Sequence, residues 1–134
     1  MGARLLSSFE EMNNRYELVK EIRGRGLMLG VVFGAPRSLK LRAAWSFLET
    51  VNAGLFCQLI TIPLFKEHKV LSQVAGHGNH CVKLLPPLVI DAQDCDWIVS
   101  AFDATIADSH RVPGAVWSLG KTLADHAMKA RAGA

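Results

Sequence analysis

"VKEIRGRGLMLGVVFG", residues 19–34, is the stretch on which the reading of the whole chain turns. Gly24, Gly26 and Gly30 fall within seven residues, and Arg23 and Arg25 alternate with the first two. Such a run invites two meanings, a phosphate cradle or a structural turn. A dinucleotide fingerprint is GxGxxG, follows a strand and opens a helix, because the helix N-terminus supplies the N–H groups that meet the pyrophosphate. Here the spacing is GxGxxxG and the context is reversed. Upstream, Leu5, Phe9, Met12, Tyr16 and Val19 recur at steps of four and three, the period of one helical face. This periodicity predicts a helix over about residues 3–22 that stops at Gly24, where glycine takes positive φ cheaply. Downstream, "LMLGVVF" has six apolar residues in seven and reads as a short buried strand. A helix-to-strand turn presents no helix N-terminus to an anion, so the glycines read as structural.

Beyond that strand, "GAPRS" turns the chain. Ser38 is placed to cap a second helix whose stripe is Leu41, Trp45, Leu48 and Val51, ended by Gly54. "QLITIPLF" is strand-like up to Pro63, "HKVLSQVA" suggests another short strand, and "GHGN" at residues 76–79 a turn. In "CVKLLPPLVI" the prolines Pro86 and Pro87 forbid further ladder pairing and hold the backbone extended. Asp91 then has the look of an N-cap, with Asp94 three residues on. Cys95, Ile98, Phe102 and Ile106 form the next helical stripe, and Pro113-Gly114 breaks it. A last amphipathic stretch carries Trp117, Leu123, Ala127 and Met128, and "KARAGA" is expected to fray. The expected architecture is α+β: a small antiparallel or mixed sheet of three to four short strands, with helices packed on one face. Residues 1–112 form one domain and residues 113–134 a helical extension.

The totals bound the chemistry. A chain of 134 residues fits one domain with a real core. Fifteen Lys and Arg against twelve Asp and Glu are scattered without a run, so no footprint for nucleic acid or an anionic membrane is present. No apolar run reaches eighteen residues, and Glu10 and Glu11 argue against a signal peptide. Cys57, Cys81 and Cys95 are odd in number and form no CxxC, which reads as three reduced thiols in a cytosolic, cytoplasmic protein. His77 and His80, beside Cys81, are too few for a metal site and read as solvated turn histidines. A thiol or metal enzyme built on Cys81 and His80 is the weakest reading, and no catalytic, metal or cofactor-holding residue is assigned. Lys83 stands out. Alternation puts Lys83 and Leu85 on one face of a strand and Val82 and Leu84 on the other, so the charge points either to solvent or into a site.

Two blocks, "VKEIRGRGLMLGVVFG" and "VKLLPPLVIDAQDCDWIVSAF", together resemble the C-terminal domain of class-III aminotransferases, pyridoxal-phosphate enzymes of fold type I. The resembling positions are Arg23, Gly24, Gly26 and Leu27, then Lys83, Leu84, Pro86, Pro87 and Leu88, then Asp91 and Asp94. The resemblance covers about residues 2–108. It implies a small domain packed on a large catalytic one, in a homo-oligomeric enzyme that moves an amino group from an amine or amino acid to a 2-oxo acid. The large domain of that family supplies the Schiff-base lysine and most cofactor contacts. None of the seven lysines here (20, 40, 66, 69, 83, 121, 129) matches that motif. The resemblance therefore implies a fragment that is inactive alone and binds no pyridoxal phosphate stably. It also implies that Lys83, where the family usually has Arg, is a substrate-carboxylate contact. The alternative is a stand-alone interaction or dimerisation module derived from that domain, its freed face binding another protein surface.

Overall fold

The computed structural model describes residues 1–76, 80–112 and 114–133. Its elements run α1 (Gly2–Arg15), β1 (Val19–Arg25), β2 (Met28–Phe33), α2 (Leu39–Val51), α3 (Leu55–His68), β3 (Gln73–Val74), β4 (Cys81–Leu84), α4 (Ala92–Ser109) and α5 (Ala115–Ala132). The four strands form one sheet in the order β1-β2-β4-β3, antiparallel at every neighbour. This is the expected α+β class.

The first helix is shorter than its periodicity predicts. It stops at Arg15, and residues 19–25 form a strand instead of two more helical turns. The cause is tertiary. Tyr16 turns extended at φ −116° and ψ 121°. Its hydroxyl donates to Asp103 Oδ1 on α4 at 2.8 Å, where Arg15 also lands at 2.8 Å. The end of α1 is thus tied to α4, and the freed chain pairs with β2. Gly24 is therefore not a helix stop but a strand residue opposite Leu29. Gly26, with φ +59°, begins the two-residue loop between Arg25 and Met28. Glycine first in such a loop suits the right-handed twist of a hairpin. The glycines are structural, as expected, though they serve a hairpin and not a helix end.

"QLITIPLF" is helical, not a strand. It lies in α3, where Leu55, Phe56, Cys57, Leu59, Ile60 and Leu64 are all buried. A helix apolar on most sides is a central one, and α3 packs between α2, α4 and α5. Phe56 is its hub, with ring centroids 5.0 Å from Trp45, 5.2 Å from Phe33 and 5.7 Å from Trp117. Pro63 sits inside the helix and tells against it locally, but the burial outweighs the lost bond. Gly54 opens α3 in the left-handed region rather than closing α2, which ends at Val51 with Asn52 as its C-cap.

Two expected helical stripes and one expected helix cap are present. The stripes Leu41, Trp45, Leu48, Val51 and Cys95, Ile98, Phe102, Ile106 are buried. Asp91 and Asp94 form a reciprocal capping box: Asp94 N–H donates to Asp91 Oδ1 at 2.9 Å and Asp91 N–H to Asp94 Oδ2 at 3.0 Å. Ser38 occupies the cap of α2 without a side-chain bond to it. The last helix persists to Ala132 instead of fraying from Lys129, and buries Val116, Trp117 and Ala124. Of the turn expected at residues 76–79, residues 77–79 lie outside the described residues.

The helices cover one face of the sheet. Leu29, Val31, Phe33, Val82 and Leu84 point into them and are nearly inaccessible. Val32, Gly30 and Met28 lie on the other, bare face. The whole division depends on the register set at Gly26. No atom outside its neighbours lies within 4 Å of a Cβ built there, so a side chain is opposed by backbone conformation alone. Gly26→Ala should cost about 1 kcal/mol and Gly26→Asn less, because asparagine tolerates positive φ. Urea denaturation midpoints measure both; equal losses would point to a cause other than conformation.

Candidate functional site

The bare face is built from alternate residues of β1, β2 and β4. Arg23 pairs with Gly30, Gly30 with Lys83, and Lys83 with Gln73, so these four form one rung across the sheet. In the next rung Arg25 pairs with Met28. A groove of about 460 Å³ lies over these rungs, lined by Arg23, Arg25, Met28, Gly30, Lys83 and Leu85 among others. Gly30 opens its floor: a Cβ there would stand 3.0 Å from Cys81 Sγ.

Lys83 is half-buried, and its strand neighbours Val82 and Leu84 point the opposite way into the core. The alternation expected from the sequence is thus observed, and it puts Lys83 on the groove. Arg23 is engaged by Glu21, which accepts from Nε at 2.9 Å and from Nη2 at 3.1 Å. That hydrogen-bonded pair holds the Glu21 carboxyl below its ordinary range. Arg25 and Lys83 make no ion pair with any described residue. Arg25 was hidden from sequence reasoning, because a helix stop at Gly24 left it in a turn. A hairpin signal was present in the two runs flanking Gly26.

A second, mainly apolar groove of about 440 Å³ adjoins the first beyond Leu85, bordered by Leu71, Pro86, Pro87, Val89 and Trp97. Leu71, Leu85, Leu88, Val89 and Trp97 are each more than half exposed. Leu88 and Val89 follow Pro86 and Pro87 in the loop between β4 and α4. Trp97 Nε1–H donates to the His68 carbonyl at 2.9 Å, which fixes the indole at the rim.

The thiols and histidines do not converge on chemistry. His80 is not solvated. It is half-buried, its Nε2 lies 2.9 Å from Glu49 Oε1, and its ring stacks obliquely on Trp45 at 5.4 Å. It clamps the start of β4 to the end of α2. His77 lies outside the described residues. Among the described residues no three His, Cys, Asp or Glu are grouped to hold a metal ion. Burial pushes the Cys57 thiol up to about 12, with Cys81 and Glu49 adding to it. Burial also raises Cys81, against the opposing pull of Arg23.

Against this geometry, the class-III aminotransferase family model matches residues 1–106. The chain belongs to that family. It is 28% identical to the aminotransferase PigE of a Serratia species, covering 81% of this chain and 16% of that protein. It is 28% identical to alanine–glyoxylate aminotransferase 2 homolog 2, mitochondrial, of Arabidopsis thaliana, covering 80% of this chain and 20% of that one. A transaminase solved with L-ala superposes with a TM-score of 0.54 at 28% identity, over 80% of this chain and 22% of its own. The chain thus spans about a fifth of the length of the curated relatives it matches.

Membership implies pyridoxal phosphate as the cofactor of the complete enzymes, where it acts as an electron sink. The groove does not fit that ring. Its lining holds no aromatic side chain to stack on it. On β1, β2 and β4 the one carboxylate is Glu21, already chelated by Arg23.

The state of the thiols is directly measurable. With a disulfide exchange reagent at pH 8, the native chain should show no thiol reacting as fast as free cysteine, and three thiols once denatured. One fast-reacting native thiol would revive the Cys81–His80 nucleophile.

Proposed function

We propose that this chain is the C-terminal small domain of a pyridoxal-phosphate-dependent class-III aminotransferase. The complete enzyme moves an amino group from an amine or amino acid to a 2-oxo acid, and Lys83 contacts a substrate carboxylate. The observation that carries this reading is Lys83 itself: an ammonium without an ion-pair partner among the described residues, half-buried on the bare sheet face and lining a groove. A lysine meets a carboxylate as a point charge, whereas arginine would grip it with a planar fork. In this reading residues 1–112 are the domain and residues 113–134 an added helix. The Schiff-base lysine and the other cofactor contacts belong to a large catalytic domain, the homo-oligomer is formed by the complete enzyme, and reduced thiols suit a cytoplasmic setting. The chain alone then holds no pyridoxal phosphate stably.

The test is Lys83→Ala in the complete enzyme, with amino donors and acceptors that carry a carboxylate. A charged hydrogen bond contributes about 1.5–3 kcal/mol, so kcat/KM should fall about ten- to a hundredfold. Lys83→Arg should retain activity. An unchanged kcat/KM for every carboxylate substrate in Lys83→Ala would overturn the role.

A second reading, a stand-alone interaction module, is favoured by one observation. Leu85 at 57%, Leu88 at 90% and Val89 at 87% exposure form an uncovered apolar surface beside the groove. Such a surface drives association. On size-exclusion chromatography the chain alone should self-associate, and Leu88→Ser with Val89→Ser should shift it to monomer. A clean native monomer would count against a missing domain and an obligate partner alike.

A further inference from the structure

Three cations stand on the groove, and they are not equivalent. Glu21 neutralises Arg23 through two hydrogen bonds, at 2.9 and 3.1 Å. Arg25 and Lys83 line the same groove, with no acidic ion-pair partner among the described residues. They lie on the same face because each is in phase with the Arg23–Gly30–Lys83 rung. Their strands, β1 and β4, flank β2, and Arg25 is two positions along from the rung of Lys83, so their backbones are about 12 Å apart at ordinary strand geometry. Between them the surface is low and apolar: Gly30 has no side chain, and Met28 and Leu85 form the wall.

We infer that Arg25 is a specificity-determining residue that takes a second anionic group of the ligand, while Lys83 takes the first and the carbon chain lies over Gly30 and Met28. The inference rests on the reading of Lys83 as a carboxylate contact and adds to it the residue that separates doubly from singly charged ligands. A guanidinium suits the outer position, because a planar fork fixes the orientation of a carboxylate that is otherwise free to swing. A ligand with one carboxylate satisfies Lys83 and leaves Arg25 in water at no cost, so the difference appears as extra affinity for the second charge.

The test is a nuclear magnetic resonance titration of the 134-residue chain with glutarate, pentanoate and inorganic phosphate, read at the amides of Gly24, Gly30 and Leu84. Glutarate and pentanoate have equal carbon counts and differ in the second carboxylate. Glutarate should bind about tenfold more tightly than pentanoate, and phosphate more weakly than glutarate. In Arg25→Gln that preference should vanish while pentanoate affinity is unchanged; Arg25 is exposed, and an otherwise unaltered spectrum verifies the fold. Equal affinities in the native chain, a preference that survives Arg25→Gln, phosphate binding as tightly as glutarate, or no binding at all would overturn the inference. Lys83→Gln separates the two claims. Pentanoate affinity unmoved by Lys83→Gln defeats the carboxylate role of Lys83, and the glutarate-to-pentanoate ratio still decides Arg25.

Discussion

A single backbone torsion governs what this domain can present. Gly26 holds φ at +59°, and from that turn the pairing of β1 with β2 runs back through Arg25 and Met28, Gly24 and Leu29, Arg23 and Gly30. Slipping that ladder by one residue would exchange the two faces of the sheet, because side chains alternate with a period of two. Arg23 and Arg25 would then enter the core, and Ile22 would leave it. The turn is also hemmed in from outside. Gly2, the first residue of α1, lies so close that a Cβ on it would collide with the Gly26 carbonyl. Glycine on one side permits the turn, and glycine on the other lets a helix rest on it.

The sheet then has two distinct surroundings. Its inner side is closed by α1 and α3, and behind these the aromatic cluster around Phe56 joins β2, α2 and α5 into one core. The last helix belongs to that core although it lies beyond the residues matched by the family model. Trp117 is nearly buried and donates to the Ser109 carbonyl at 2.7 Å, and Gly120 lets α5 approach Leu59 and Leu48 closely. The outer side has no such cover. It carries Arg23, Arg25 and Lys83 beside the exposed Leu85.

Much of this was legible in the sequence, and the failures have physical causes. Helices with one apolar stripe and a polar remainder were readable, as Leu41–Trp45–Leu48–Val51 and the Asp91 capping box illustrate. Val19 and Ile22 fit a helical period as well as a strand, and the choice was made by Tyr16 and Arg15 reaching Asp103, a contact 87 residues away along the chain from Tyr16. The segment around Ile60 is apolar on nearly all sides, so no periodicity separated helix from strand. Of the groove, Lys83 was readable because alternation needs only its strand. Its facing by Arg25 and Gly30 needed the register of three strands, which no local pattern carries. The partner of His80 was equally hidden, since Glu49 lies on a different element.

The charges of β1 have one more effect. The strand reads VKEIRGR, four charged residues in seven, and it is the outer strand of the sheet, with β3 of only two residues at the opposite margin. An outer strand exposes unpaired amides and carbonyls that another chain can extend into a continuous sheet. Lys20, Glu21, Arg23 and Arg25 make such stacking of identical strands electrostatically and sterically costly, and the irregular register between Val19 and Glu21 distorts the edge as well. One broad face of the sheet can therefore stay uncovered without its edges becoming a template for fibrous growth.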